Sequence, residues 1–372
     1  MRVACLLAVA LAVGCDGGRT MSAGDGGGPD GGAGLAVLGY GTHSVGSVEV
    51  VQIITATPDL LRGPSDLAFN PSRDHELWVT ERNANAVAIV FHAGAPDQHV
   101  EHRTSSGAEH FLASPSALAF DDSGTLATIH DIDVQTQGPG GTPADFMGPT
   151  LWPADATLFD GGHDSHLDML HDSPSGAGIA WDTGNAFWVY DGYHHALGHY
   201  DFRMPHVPGG TDHSDGVIQR WVDGQMGYFP HVGSHMELDH ASGLLYVADA
   251  RNARVVVLDT TTGVPGVTIG PNYDDCTMTS MTSAPFTTLI DGSVAGLDRP
   301  SGLALRGGVL YITDHTRDTI HAYDLHGHEL DWIDLSSALA PSSIGGIELD
   351  VEGRIYVTDT VMGRIVRLAP MR

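Results

Sequence analysis

The sequence contains no lysine, and all 17 of its basic residues are arginines. Schiff-base catalysis and a lysine general base are therefore excluded. The chain also carries 46 acidic residues, which gives a formal net charge of −29 at pH 7 over 372 residues. A chain this acidic is not expected to bind nucleic acid or an anionic membrane surface, because both attract basic proteins.

Cysteine is equally scarce. The three cysteines are Cys5, Cys15 and Cys276, and only Cys276 follows Cys15. A chain processed at Cys15 therefore has no pair of thiols for an internal structural disulfide. Its stability must come from a hydrophobic core, which about 335 residues can supply. Cys276 lies in a polar stretch, where we expect a buried and unreactive thiol.

The apolar run at the N-terminus is too short to span a bilayer, which requires roughly 20 residues. Arg2, the apolar residues 6–13 and a small residue before Cys15 follow the order of an export signal. Residues 12–15, Ala-Val-Gly-Cys, resemble a bacterial lipobox, in which the cysteine becomes lipidated. We predict a lipoprotein signal over residues 1–15 with Cys15 lipidated; an ordinary secretory signal is the alternative.

Residues 16–34 are rich in glycine and contain almost nothing apolar, so they are predicted to form a disordered tether. A tether between a lipid anchor and a folded body suits a protein held at a surface. We therefore expect an exported protein in a bacterial cell envelope, which touches the membrane only through its anchor.

A repeated unit dominates the rest of the chain. Each copy has an apolar run, a turn with Asp or Gly, and a second apolar run that ends in an acidic residue. Six copies begin near residues 65, 116, 176, 235, 301 and 345. A fourth strand is predicted at 98–102, 217–223 and 328–334. Four-stranded units repeated around an axis form a β-propeller.

We predict an all-β fold over residues 35–372, a six-bladed propeller and a monomer. The strand pattern at 47–54 is expected to complete the last blade and close the ring. A seventh blade would have to be hidden in 132–163 or 263–297, which are instead interpreted as loops or long outer strands. The repeats, with Gly-x-Leu-Tyr-Val-x-Asp as their second half, resemble NHL repeats.

Histidine is unusually frequent. Of the 22 histidines, twelve fall between His130 and His240, and most of these lie in the polar loops 161–176, 205–216 and 229–240. Imidazole is a common ligand for zinc and related metals, and nearby carboxylates orient it. The loops predict a transition-metal site, zinc above all, formed by His171, His213 and His235, with His130 as an additional ligand. His110 and seven others are assigned to the surface.

The chain also resembles the propeller lyase that cleaves peptidyl-α-hydroxyglycine with an axial zinc. Asp191-Gly192-Tyr193 matches the phrase that carries that family's tyrosine, and Arg82 follows the second strand of the first blade. The resemblance implies that Tyr193 acts as a general acid or base and that Arg82 binds a substrate carboxylate. Two of the family's three zinc histidines are replaced by Ser116 and Ser301, so its metal site is not carried over.

Two functions remain open at this point. The first is a metal-dependent lyase or hydrolase with its site near the axial mouth. The second is a non-catalytic, envelope-tethered propeller that binds a peptide, glycan or protein. Either would take a small-molecule or peptide ligand at the mouth, and the fold alone does not choose between them.

Overall fold

The computed structural model describes residues 34–54, 57–133, 146–159 and 164–371. The predicted signal peptide, Cys15 and nearly all of the tether lie outside these residues. No helix of the described part is long and apolar enough to cross a bilayer.

The first half of the chain forms three blades after an initial strand β1 (Val48–Gln52). Blade 1 comprises β2 (Pro64–Phe69), β3 (Leu77–Glu81), β4 (Ala86–Phe91) and β5 (His99–Arg103). Blade 2 comprises β6 (Pro115–Phe120), β7 (Thr125–His130), β8 (Thr150–Pro153) and β9 (Asp168–Met169). Blade 3 comprises β10 (Gly176–Thr183), β11 (Ala186–Asp191), β12 (Ala196–Asp201) and β13 (Val217–Trp221).

The second half completes the ring. Blade 4 comprises β14 (Met236–Asp239), β15 (Leu244–Asp249), β16 (Arg254–Asp259) and β19 (Phe286–Asp291). Between β16 and β19 the chain forms a hairpin of β17 (Val264–Thr268) and β18 (Thr277–Thr282), which belongs to another sheet. Blade 5 comprises β20 (Pro300–Arg306), β21 (Val309–Asp314), β22 (Thr319–Asp324) and β23 (Glu329–Asp334). Blade 6 comprises β24 (Ile344–Leu349), β25 (Ile355–Asp359) and β26 (Arg364–Pro370).

Helical segments are short and lie between strands. The α-helices are α1 (Ala108–Phe111) and α2 (Gly292–Ala295). Single 3₁₀ turns occur at Ala36–Leu38, Val45–Ser47 and Arg82–Ala84.

The prediction of a closed six-bladed ring is confirmed. Strand β1 pairs antiparallel with β26, with Val48 opposite Pro370 and Gln52 opposite Val366. The first strand of the chain is therefore the outermost strand of the last blade, and the order in that sheet is β1-β26-β25-β24. The predicted fourth strands at 98–102, 217–223 and 328–334 correspond to β5, β13 and β23.

Segment 263–297 does not form a seventh blade. Its first part is the β17–β18 hairpin, which joins the edge of blade 3 by parallel pairing of β18 with β13. Its second part is β19, the outer strand of blade 4. Blade 3 therefore carries six strands in the order β10-β11-β12-β13-β18-β17.

Among the described residues, six apolar clusters each combine residues of two neighbouring blades, and a small seventh lies within blade 2. In one of them Trp78 of blade 1 packs with Leu126 and Trp152 of blade 2, all fully buried. A single blade cannot bury its own faces, so the sequence repeat produces a ring rather than independent units.

An aspartate ends the second strand in each of blades 3 to 6. Because it recurs in successive repeats, a structural role in the following turn is expected for it. Asp249 accepts hydrogen bonds from Arg254 Nε at 2.9 Å and from Asn252 Nδ2 at 2.8 Å. Asp359 accepts one from Arg364 Nε at 3.0 Å. These carboxylates satisfy groups of the tight turns that follow them, which gives them a structural role.

Ring closure can be tested at Val48, which is 3% exposed and lies in the blade 5–blade 6 core. We expect Val48→Asp to lower the free energy of unfolding by about 2–4 kcal/mol, because it places a carboxylate in an apolar cluster. Denaturant titration measures the effect. The matched control is Glu49→Gln on the same strand, where loss of an exposed ion pair should change stability by less than about 1 kcal/mol. Equal effects of the two substitutions would contradict a buried closing strand.

Candidate metal centre at the rim of blades 2 and 3

Two segments bring histidines together between blades 2 and 3. The backbone of residues 206–209 hydrogen-bonds to residues 166–167, with His206 N to Leu167 O at 3.1 Å and Gly209 N to His166 O at 3.0 Å. The first segment leads into β9, and the second belongs to the long connection between β12 and β13. We call His166, Asp168, His206 and His213 the rim cluster.

Asp168, His206 and His213 each offer a ligand atom, and these atoms lie within 4.8 Å of one another. Within the described residues this is the single group of three or more potential ligands that is so compact. The ring of His166 lies beside it, with its centroid 5.0 Å from that of His206 and 6.5 Å from that of His213.

Hydrogen bonds at the far side of each ring orient the cluster. His206 Nδ1 donates to Val207 O at 2.7 Å, and His166 Nδ1 donates to Asp164 at 2.6 Å. His213 Nδ1 donates to Asp168 Oδ1 at 2.7 Å. A neutral imidazole that donates through Nδ1 presents a lone pair at Nε2, which is the arrangement of a metal-binding histidine.

Several of the inward atoms have no protein partner. His166 Nε2, His206 Nε2 and Asp168 Oδ2 are buried and make no hydrogen bond. Buried polar atoms without a partner are costly, so these atoms are suited to binding an ion. Nitrogen atoms bound to one tetrahedral zinc lie about 3.4 Å apart, which is compatible with ligand atoms that lie within 4.8 Å of one another.

Burial and hydrogen bonds shift the pKa values of the cluster in different directions. Burial lowers the pKa of His166 against the opposing effect of Asp164, which favours the neutral imidazole. Burial raises the pKa of Asp168, which its hydrogen bond and charge interaction with His213 lower. Burial lowers the pKa of His213, but the hydrogen bond to Asp168 and the charges of nearby carboxylates raise it by more, so the net shift is upward.

A chain of hydrogen bonds lies next to the rim cluster. Asp274, in the β17–β18 hairpin loop, accepts from the backbone N and the Nδ1 of His171, both at 2.7 Å. His171 Nε2 in turn lies 3.2 Å from His110 Nε2, and its ring centroid is 6.3 Å from that of His213. Phe146 stacks on His171 at 4.1 Å.

The predicted ligand set is therefore only partly brought together. His213 is in the rim cluster and His171 is its neighbour. His130 is buried with both ring nitrogens engaged, at 2.9 Å from Gly148 O and 3.1 Å from Thr128 Oγ1, so it has no free ligand atom. His235 lies apart, immediately before β14, where its Nδ1 is 3.1 Å from Asp66 Oδ1 of blade 1.

Two further expectations are corrected. The site lies on the outermost strand of blade 2 and on an outer connection of blade 3, not at the axial mouth. His110, assigned to the surface from sequence, is half-buried against His171, and its pKa is lowered to about 3 by burial and by the neighbouring histidines. His166 and His206 were not among the predicted ligands, although both stand in the histidine-rich loops that drew attention to this region.

The axial mouth holds a different group. A cavity of about 640 Å³ is lined by turns and strand starts of several blades and includes Arg82, Asp131, Tyr228 and His231. Arg82 forms an ion pair with Asp131 at 2.5 Å and contacts His231. The Tyr228 hydroxyl donates to the same carboxylate. We call this the mouth cavity.

Tyr193 does not join Arg82. It is 44% exposed, its ring packs edge-on against His194 at 4.9 Å, and its backbone N donates to Asp191 at 3.0 Å. It does not line the mouth cavity. Tyr228 is the tyrosine that lies near Arg82, so the pairing implied by the lyase resemblance is not formed by Tyr193.

Comparison with solved structures supports the fold. The chain is similar to a streptogramin B lyase (12% identity, TM-score 0.50), over 87% of this chain and 97% of that one. It is similar to an auxiliary nutrient binding protein from Bacteroides ovatus (14%, 0.53), over 87% and 77%. It is also similar to a luciferin-regenerating enzyme (9%, 0.53), over 87% and 95%.

No protein-family model matches the sequence, and no curated protein sequence matches it significantly. At 9–14% identity the structural likeness establishes a six-bladed β-propeller and leaves the activity to be argued from the residues.

The buried His130 makes stability depend on pH. Burial lowers its pKa from 6.5 to about 4. Because the folded state binds this proton less readily than the unfolded chain, the contribution is complete above pH 6.5 and is lost as the pH falls toward 4. In denaturant titrations between pH 7 and 4, we expect His130→Gln to reduce the slope of unfolding free energy against pH by up to about one proton. Parallel profiles for both proteins would contradict this.

Proposed function

We propose that this protein is an exported, lipid-anchored β-propeller that binds a transition metal, zinc, at the rim cluster and uses the site for lyase or hydrolase chemistry. The observation that carries the proposal is the convergence of Asp168, His206 and His213 within 4.8 Å, with buried and unpartnered donor atoms.

The ligand chemistry fits zinc. Histidine nitrogen with one carboxylate oxygen is a common zinc set in which three protein ligands leave a position open. The same two-histidine, one-carboxylate set also suits ferrous iron. His166, whose Nε2 is buried and unpartnered beside the three, is placed as a further ligand or as a group that contacts whatever occupies the open position.

A bound zinc ion with an open position supplies Lewis-acid activation of a carbonyl or of water. The neighbouring residues supply an oriented histidine. Asp274 accepts from the Nδ1 and from the backbone N of His171, both at 2.7 Å, and the first of these hydrogen bonds fixes the ring and its tautomer. The Nε2 of His171 lies 3.2 Å from His110 Nε2, so His171 is assigned a positioning role beside the cluster.

A second candidate function rests on the mouth cavity. Its volume of about 640 Å³ and its lining of serine, aspartate and arginine side chains suit a polar small molecule or peptide. The similar Bacteroides ovatus protein is described as nutrient binding. A non-catalytic propeller tethered to the envelope would use this cavity alone.

Metal content decides between the two. We expect the full chain, purified without chelators, to hold about one zinc ion by elemental mass spectrometry. His206→Ala and His213→Ala should each lose it, because each removes a ligand. His235→Ala and the surface variant His326→Ala are matched controls that should retain it.

Each other outcome has a meaning. Loss in His235→Ala with retention in His206→Ala would place the metal at the axis and contradict the rim site. A folded, metal-free chain would leave the mouth cavity as the functional site. Iron in place of zinc would keep the site and change the expected chemistry.

The lipid anchor is tested separately. We expect Cys15→Ser to abolish incorporation of labelled palmitate in a bacterial host and to move the protein from the membrane fraction to the soluble exported fraction, because the thiol is the acylation site. Cys5→Ser, within the same signal, should behave as the parent protein does. Palmitate incorporation that survives Cys15→Ser would contradict the lipobox interpretation.

A further inference from the structure

The six innermost strands carry two positions at which small residues are the rule. The pairing register of each inner strand with its neighbour makes these positions equivalent around the ring. At the first, Ala or Gly stands at 117, 178, 302 and 346, whereas Asp66 and His235 occupy the other two blades. At the second, alanine stands at 68, 119, 180 and 304, whereas Glu237 and Glu348 occupy the other two.

All four exceptional residues line one cavity of about 230 Å³. Inner strands of all six blades contribute to it, and it opens past Pro71 and His240, which are exposed. It lies toward the C-terminal ends of the inner strands, whereas the mouth cavity lies at their N-terminal ends. We call it the axial cavity.

The axial cavity is lined by acidic side chains. Asp66, Glu237 and Glu348 line it, and no arginine does. Burial and the charges of Glu348 and Asp66 raise the pKa of Glu237. Burial raises the pKa of Glu348 to about 7, with the charge of Asp66 adding to it. A bound cation would stabilise the ionised forms of these two glutamates, which burial and charge repulsion disfavour.

One residue of the lining, His235, has an unpartnered buried nitrogen. His235 is 4% exposed, its Nδ1 lies 3.1 Å from Asp66 Oδ1, and its Nε2 has no hydrogen-bond partner. A neutral imidazole with its proton on the nitrogen beside Asp66 has an acceptor lone pair at Nε2. The lining therefore includes carboxylate and imidazole groups together.

The acceptors are too far apart to hold a bare metal ion. No three ligand atoms of Asp66, His235, Glu237 and Glu348 lie within 4.8 Å of one another, in contrast to the rim cluster. The other walls of the cavity are apolar and aromatic, with Phe69, Phe120 and Trp181 among them. A lining that combines carboxylates with apolar and aromatic residues suits an organic cation better than an inorganic one.

We propose that the axial cavity binds a small organic ammonium ion. Its positive charge is compensated by the carboxylates of Glu237 and Glu348, and its carbon atoms contact the apolar part of the lining, which includes Phe69, Phe120 and Trp181. Such a ligand is large enough to reach both the carboxylates and the apolar lining of the cavity, which a bare metal ion is not. Its positive charge complements the acidic side chains. The site is independent of the rim cluster and of the mouth cavity.

Calorimetric titration of the full chain with n-butylammonium chloride, at constant ionic strength, tests this. We expect saturable one-to-one binding. Glu237→Gln and Glu348→Gln preserve shape and remove charge, and each should weaken binding by about tenfold or more. Trp181→Leu should weaken it by a smaller factor. Glu49→Gln, on the outermost strand of blade 6, and His206→Ala, in the rim cluster, are controls that should leave the affinity unchanged.

Tetramethylammonium and calcium chlorides complete the test. Weaker binding of tetramethylammonium than of butylammonium is expected, since only the primary amine donates hydrogen bonds. The proposal is overturned if butylammonium shows no saturable binding, or if the glutamine variants bind it as the parent does while near-UV circular dichroism shows them folded. It is also overturned if calcium binds one-to-one through the same glutamates and excludes butylammonium.

Discussion

The structure depends on the pairing of two strands from opposite ends of the chain. Strand β1 lies against β26, and because the chain continues from β1 into blade 1, this pairing ties the last blade to the first. Because the apolar clusters are shared between blades, an open ring would expose the faces at its gap. All the sites described here lie on elements whose positions follow from this closure, so they form on a framework that is either complete or substantially weakened.

The fold could be predicted from sequence because the same pattern of strands and turns occurs six times. An apolar run, a turn and an acidic strand end recur with enough regularity to count blades and to place the closing strand at 47–54. The β17–β18 hairpin was not foreseen. Its strand pattern is weak and its residues are mostly exposed, and its partner β13 lies far away in sequence, so nothing local in 263–282 indicates that it extends blade 3.

The candidate metal centre was less predictable, because it also depends on contacts between residues far apart in sequence. Histidine density indicated the region in which Asp168, His206 and His213 lie together, but density does not say which ring nitrogens already have hydrogen-bond partners. Both ring nitrogens of His130 already have partners, in Gly148 O and Thr128 Oγ1. His235 lies beside Asp66 of blade 1, away from the rim cluster. His206 enters the site because its loop hydrogen-bonds to Leu167, a contact across two blades. Glu237 and Glu348 were detectable, since alignment of the repeats shows glutamate where four blades have alanine.

The β17–β18 hairpin has a consequence for the order in which the protein matures. Asp274, which holds His171, lies in this hairpin, and Gly216 O accepts from Thr277 N at 3.0 Å just after the loop that carries His213. During synthesis, His171 therefore leaves the ribosome 103 residues before Asp274, and blade 3, which ends at Trp221, is also made before it. The histidine-rich loops reach their final arrangement only once part of blade 4 has been made. The chain thus completes the surroundings of the rim cluster only after most of the ring that supports it has been made.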